Sequence, residues 1–214
     1  MSDPAGFVRA NTIVTAPPLV PEIRLHLASE ITPIWQATEA SLRTSGVPPP
    51  YWAFAWPGGQ ALSRYLLDQP SVVKGKRVLD FAAGCGIGAI AAMRAGAREA
   101  VSNDIDVFAA AACALNAALN GVRVQCSTDD LTVIDPGSWD VVIAGDVCYE
   151  RAMADRAFAW LQRAAKSGAL VLIADPGRNY TPKDGLIELA RYDVPTTREL
   201  EDRDMRQCVV ARVA

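Results

Sequence analysis

The chain has 214 residues, 50% hydrophobic and 21% charged, with a formal net charge of −3 and a pI near 5.2. These values describe one folded soluble domain with at most a small N-terminal appendage, and they argue against a nucleic-acid polyanion as the main partner. The longest apolar stretch, Phe81 to Met93, is too short and too glycine-rich to span a bilayer, which takes roughly 20 residues.

Residues 1–20 are rich in proline and small side chains and read as loose or extended. Within Pro21 to Glu30, the alternation of Ile23, Leu25 and Leu27 favours a strand. Ile34 to Arg43 reads as a helix, and Gly46-Val47-Pro48-Pro49-Pro50 breaks it. An aromatic run from Tyr51 to Trp56 follows, and Pro57-Gly58-Gly59 leads into a helix over Gln60 to Leu67. We therefore divide the chain into an N-terminal extension, 1–56, covering a cofactor or partner site, and a main domain, 57–214.

From there the pattern alternates. Strands are expected at 77–81, 100–104, 122–126, 139–144 and 169–174, and helices at 87–96, 107–120, 151–166 and 183–191. Such alternation implies βαβ units with right-handed crossovers and a parallel sheet wrapped by helices. The tail differs. Tyr192 to Glu199 and Met205 to Val213 are strand-like, joined by a polar turn, Glu201-Asp202-Arg203-Asp204. A C-terminal hairpin is expected, so the sheet should end antiparallel. The cysteines (Cys85, Cys113, Cys126, Cys148, Cys208) form no CxxC pair, and His26 is the single histidine, so no metal site is expected. An odd number of cysteines and the lack of a signal peptide point to a reducing cytoplasm.

The most informative stretch is Val78-Leu79-Asp80-Phe81-Ala82-Ala83-Gly84-Cys85-Gly86-Ile87-Gly88. A buried strand runs out into glycines that let the backbone turn tightly and let a ligand approach the main chain. Asp104 follows Gly84 after the next strand, at the distance where a carboxylate grips a ribose in a nucleotide-binding βαβ unit. The turn satisfies G-x-G-x-x-[GA], so an adenosine-containing cofactor is implied and a nicotinamide dinucleotide is one reading. Against that reading, Asp80 would repel a pyrophosphate, whereas it suits a cationic ligand such as the amino and sulfonium groups of S-adenosylmethionine. No separate substrate domain follows, and a terminal hairpin is foreign to the simplest dinucleotide fold.

Val78 to Gly86 resembles motif I of the seven-strand, class I S-adenosylmethionine-dependent methyltransferases, and Asn103-Asp104-Ile105-Asp106 resembles their acidic motif after the second strand. Trp139 to Gly145 followed by Asp146-Val147-Cys148-Tyr149 looks like their fourth strand and the D-x-x-Y motif of the protein-lysine branch. Pro49 to Leu66, including Trp56-Pro57-Gly58-Gly59, and Asp175-Pro176-Gly177-Arg178 are similar to the electron transfer flavoprotein β-subunit lysine methyltransferase family, which has mitochondrial and bacterial members. The resemblance runs from about Pro21 to Arg178 and departs at Ala82, where motif I commonly has glycine; the added methyl is expected to narrow the turn slightly.

The resemblance implies a Rossmann-like, seven-stranded, mostly parallel sheet with an antiparallel C-terminal hairpin strand and helices on both faces. It implies a bacterial, cytoplasmic, monomeric enzyme that moves methyl groups from S-adenosyl-L-methionine to lysines of the flavoprotein β subunit, leaving S-adenosyl-L-homocysteine. No nucleic-acid or membrane partner is implied. Asp80, Gly84, Cys85 and Gly86 would hold the methionine end of the cofactor, Asp104 the ribose, and Asp129 or Asp130 the adenine, with Trp56 as a wall. Asp146 and Tyr149 would serve the target lysine as catalytic residues, with a helix N-cap as the rival role for Asp146, and Asp175 and Arg178 would contact the protein substrate. Another protein or a small amine remains the alternative acceptor.

Overall fold

The computed structural model describes residues 3–29, 49–197 and 201–214. The helix expected at 34–43 and most of the proline break before Tyr51 lie outside them. The chain opens with α1 (Pro4–Asn11), β1 (Ile13–Thr15) and β2 (Leu25–Leu27). The two strands pair antiparallel in a small separate sheet. Helix α2 (Pro57–Asp68) then precedes the alternating part: β3 (Arg77–Phe81), α3 (Ile87–Arg94), β4 (Glu99–Asn103), α4 (Val107–Leu119), β5 (Gln125–Ser127), β6 (Val141–Gly145), α5 (Arg151–Lys166) and β7 (Leu170–Asp175). Strands β8 (Leu186–Pro195) and β9 (Met205–Val213) close the chain.

The main sheet has seven strands in the order β5-β4-β3-β6-β7-β9-β8. The first five are parallel, and β9 runs antiparallel to both β7 and β8. This is the expected architecture. The strand order reverses between β3 and β6, which opens a crevice at their carboxyl ends, where ligands bind in open α/β sheets.

Alternation along each strand builds the two faces. Val78, Val141 and Ile143 point into one core with Ala61, Leu62 and Leu66 of α2. Leu79, Phe81 and Val142 point the other way, into a core with Trp160 and Leu161 of α5. Ring stacking of Phe81 on Trp160 at 5.1 Å pins α5 to the tip of β3. Helix α4 packs on α3 through Ala117, beside Ile87, Ile90 and Ala91. The N-terminal segment docks on α4: Val8 packs with Ala109 and Ala112, and Phe7 lies 4.9 Å from Phe108.

Three expectations need correction. Residues 183–191 form no helix; most of them belong to β8, which begins at Leu186. A β-bulge between Glu188 and Ala190 breaks the period-two alternation, so Leu186, Ile187, Leu189 and Ala190 mimic helical spacing. The third parallel strand begins at Gln125 rather than Val122, because Val122 and Val124 pack as a connection against the α3–α4 core. The hairpin connection is not all solvated, since Glu201 is 4% exposed.

Candidate active site

The loop after β3 makes a left-handed turn. Ala82 has φ 52°, Gly84 φ 53° and Gly86 φ 77°. Ala82 thus adopts a backbone conformation that costs an L-residue roughly 1–2 kcal/mol, a stronger effect than a narrowed turn. Gly86 is required twice over: a Cβ there would lie 2.4 Å from Cys113 Sγ of α4. Neighbouring Cys85 turns its side chain into the core, where burial pushes its thiol up to about 12. Only its backbone faces the turn, and its carbonyl accepts from Asn116 Nδ2 at 2.9 Å.

Two carboxylates flank this loop. Asp104 Oδ2 accepts the Gly84 N–H at 2.9 Å and Oδ1 accepts the Asp106 N–H at 3.0 Å, so Asp104 holds the glycine turn in place. Burial raises its carboxyl above the usual range, opposed by those two N–H groups. Asp80 is buried at the end of β3 and accepts the Ala89 N–H of α3 at 2.8 Å. Burial pushes it up to about 8; the Ala89 N–H opposes this and Asp104 adds to it. Among the described residues no Lys, Arg or His is paired with either acid. Two acceptor groups without a cation, beside a glycine cradle, fit a ligand that carries positive charge and hydroxyl donors, which is the chemistry of S-adenosylmethionine.

Across the crevice, β6 ends in Asp146, another non-glycine residue in the left-handed region, with φ 57°. Its Oδ2 accepts the Gly59 N–H at 2.8 Å. The N-cap residue of α2, Trp56, makes no capping bond of its own, so the Asp146 carboxylate caps this helix from a distant strand. The two backbones nearly touch. A Cβ on Gly58 would lie 2.4 Å from Ala174 O and 2.7 Å from Asp146 Oδ2, and one on Gly145 would lie 2.8 Å from Gly59 N. The Pro57-Gly58-Gly59 segment is therefore what lets α2 aim its N-terminus at Asp146. Burial raises Asp146 to about 6; Arg178 opposes this, and Asp175 raises it further.

Arg178 bridges carboxylates, with Nη2 at 3.4 Å from Asp146 Oδ1 and 2.5 Å from Glu201 Oε1. It reaches this place because Asp175 folds the loop after β7: Asp175 Oδ1 accepts the Arg178 N–H at 2.7 Å and the Thr181 hydroxyl at 2.5 Å. Asp175 itself is buried.

An aromatic rim lies beside Arg178 and Asp104. Tyr149 and Tyr51 are partly exposed with ring centroids 5.1 Å apart, and Tyr51 lies 6.0 Å from Trp56. The Trp56 indole N–H donates to Tyr51 O at 2.8 Å, and the Arg178 guanidinium sits 5.9 Å over the Trp56 ring. Burial, with Tyr51 and Glu150 nearby, pushes the Tyr149 phenol up to about 12, so it stays protonated.

Asp80, Gly84, Gly86, Asp104, Trp56, Asp146, Tyr149 and Arg178 thus gather along the carboxyl edge of the sheet. Asp129 and Asp130 are exposed at the end of β5. Asp129 accepts the Ser127 hydroxyl at 2.7 Å, and its backbone O accepts Asn103 Nδ2 at 3.0 Å. Asp130 caps a short turn through the Thr132 N–H and hydroxyl, which lower its pKa. Sequence reasoning missed Tyr51 and Glu201. The aromatic density around Trp56 was a signal for the first; a glutamate in a polar turn gave none for the second. Among the described residues no cluster suited to a metal ion occurs and no helix is long and apolar enough to cross a membrane.

The model of the ribosomal protein L11 methyltransferase family matches residues 60–148. The electron transfer flavoprotein beta subunit lysine methyltransferase of Danio rerio is 39% identical over 217 residues, covering 98% of this chain and 83% of that protein. Its Xenopus laevis counterpart is 44% identical over 177 residues, covering 82% of this chain and 71% of that protein. Among solved structures, magnesium protoporphyrin IX methyltransferase from Synechocystis superposes with a TM-score of 0.56 at 15% identity, covering 85% of this chain and 100% of that one. Fold and edge together define an S-adenosylmethionine-dependent methyltransferase of class I. Within that class, the chain belongs to the electron transfer flavoprotein beta subunit lysine methyltransferase family.

Proposed function

We propose that this protein methylates lysine side chains of the electron transfer flavoprotein β subunit, with S-adenosylmethionine as donor. The observation that carries the acceptor is the match to lysine methyltransferases of that subunit along nearly the whole chain. The donor supplies an electrophilic methyl group on a sulfonium. The chain's own residues bind, orient and desolvate. Asp80 and the Gly84 and Gly86 backbone hold the cationic methionine end, and Asp104 takes the ribose hydroxyls. Asp129 stands at the adenine end, whereas the use of Asp130 as a turn cap favours a structural role for it.

On the acceptor side, a lysine must lose its proton before attack, and its reference pKa is about 10.4. The Asp146 carboxylate attracts the ammonium to the edge of the sheet. The rim of Tyr51, Trp56 and Tyr149 sheds water from it and favours the neutral amine. With the donor bound there, a neutral amine about 3 Å from its methyl carbon, having given its proton to water, would form the N–C bond in line as the C–S bond breaks, and S-adenosylhomocysteine would leave. Arg178 stands where the acceptor protein would dock.

The test is transfer of a labelled methyl group to purified flavoprotein, followed by peptide mass spectrometry. Label on β-subunit lysines is the expected result. Label absent from the β subunit, with another protein labelled in a cell lysate, would transfer the activity to that acceptor.

A further inference from the structure

Arg178 Nη2 is shared unequally between two acids, at 2.5 Å from Glu201 and 3.4 Å from Asp146. Glu201 is itself fixed. Its side chain is 2% exposed, Oε2 accepts from Arg206 Nε at 3.1 Å, and its backbone O accepts from Arg206 Nη2 at 2.8 Å. Its N–H donates to Thr197 O at 2.9 Å. Arg178 Nε is buried without a hydrogen-bond partner. A guanidinium free to settle on one carboxylate turns two N–H groups onto it, which is the stronger geometry. Arg178 forgoes that pairing with Asp146 because Glu201 pulls it from the other side.

We infer that Glu201 is a positioning residue that draws Arg178 off Asp146, leaving the Asp146 carboxylate open to the ammonium of an incoming lysine. This rests on the acceptor role proposed for Asp146. Among the described residues, few groups face Asp146. Arg178 and Asp175 come from the β7 end, and the Cys85, Cys148 and Cys208 thiols lie within its field. Helix α2 offers it backbone N–H groups. With Glu201 neutral, Asp146 is the remaining ion-pair partner of the Arg178 side chain, with Asp175 also in its field, and a substrate ammonium would have to displace a paired guanidinium.

The direct test is a carbon NMR titration of aspartate carboxyls in the ligand-free protein, with the Asp146 signal identified by its loss in Asp146→Asn. In Glu201→Gln, Asp146 should titrate lower by about one pH unit, a tenfold loss in proton affinity. Loss of the Glu201 charge alone acts in the same direction, so Glu201→Asp, which keeps the charge but shortens its reach, should also lower the value. An unchanged or raised value in Glu201→Asp overturns the inference, and this variant decides alone if Glu201→Gln does not fold. In turnover assays, the apparent KM for the acceptor protein should rise about tenfold in either variant that folds. Affinity for S-adenosylhomocysteine should stay within about twofold; equal losses of both would mark a merely structural role and also overturn it. The titration needs no acceptor, so it stands if wild-type enzyme proves inactive on the flavoprotein.

Discussion

Asp80 faces the ligand edge with an acid neighbour and, among the described residues, no cation, and its proton has a consequence for binding. Its folded pKa, about 8, lies above the unfolded value near 3.8. In the ligand-free protein its contribution to stability is therefore fully present below about pH 4 and is lost as pH rises through about 8. A cationic ligand favours the ionised acid, so binding below pH 8 expels a proton. Affinity for S-adenosylmethionine should rise between pH 6 and 8, by at most about tenfold per pH unit, and level off above. Asp80→Asn should weaken binding at pH 8 and flatten this slope. Calorimetry in buffers of different ionisation enthalpy measures both, and a pH-independent affinity in the wild type would remove Asp80 from the cofactor site.

At the scale of elements, the junction between α2 and β6 does two jobs with one carboxylate. Asp146 caps the helix and faces the acceptor side, so two substitutions separate the roles. Asp146→Ala loses the cap and should cost about 1 kcal/mol of stability. Asp146→Asn keeps an acceptor oxygen for the Gly59 N–H, so its melting temperature should stay near that of wild type. Turnover should fall at least about tenfold in both, because the charge is gone. Normal turnover in Asp146→Asn would make the residue a cap alone. This junction was half legible beforehand. Asp146 and Pro57-Gly58-Gly59 were each singled out in the sequence, but no spacing rule joins residues so far apart. An N-cap was foreseen for Asp146 without showing that the capped helix is α2. Strand β8 was hidden for a local reason: its bulge erased the alternation of a half-exposed strand, whereas β3 was readable to the residue as a short apolar run.

For the whole molecule, the alternation of strands and helices sufficed to predict a parallel sheet ended by an antiparallel hairpin, because each element's apolar period survives without tertiary context. The row of acids at the carboxyl edge was legible for the same reason, since Asp80, Asp104, Asp146 and Asp175 each lie at or just beyond the end of a strand. Their unequal partners were not legible. Asp175 and Asp130 hold loops, Asp146 shares Arg178 with Glu201, and Asp80 meets no cation among the described residues; these differences come from chain segments far away in sequence. Ala82 also hid its meaning, because its strain shows only in the backbone dihedral.

The account as a whole requires the donor to lie between the β3 loop and Asp146. A crystal structure with S-adenosylhomocysteine tests this most directly. We expect its ribose on Asp104, its amino group toward Asp80, and its sulfur facing the rim of Tyr51, Trp56 and Tyr149. The by-product bound elsewhere, or bound with its sulfur turned away from Asp146, would contradict the account.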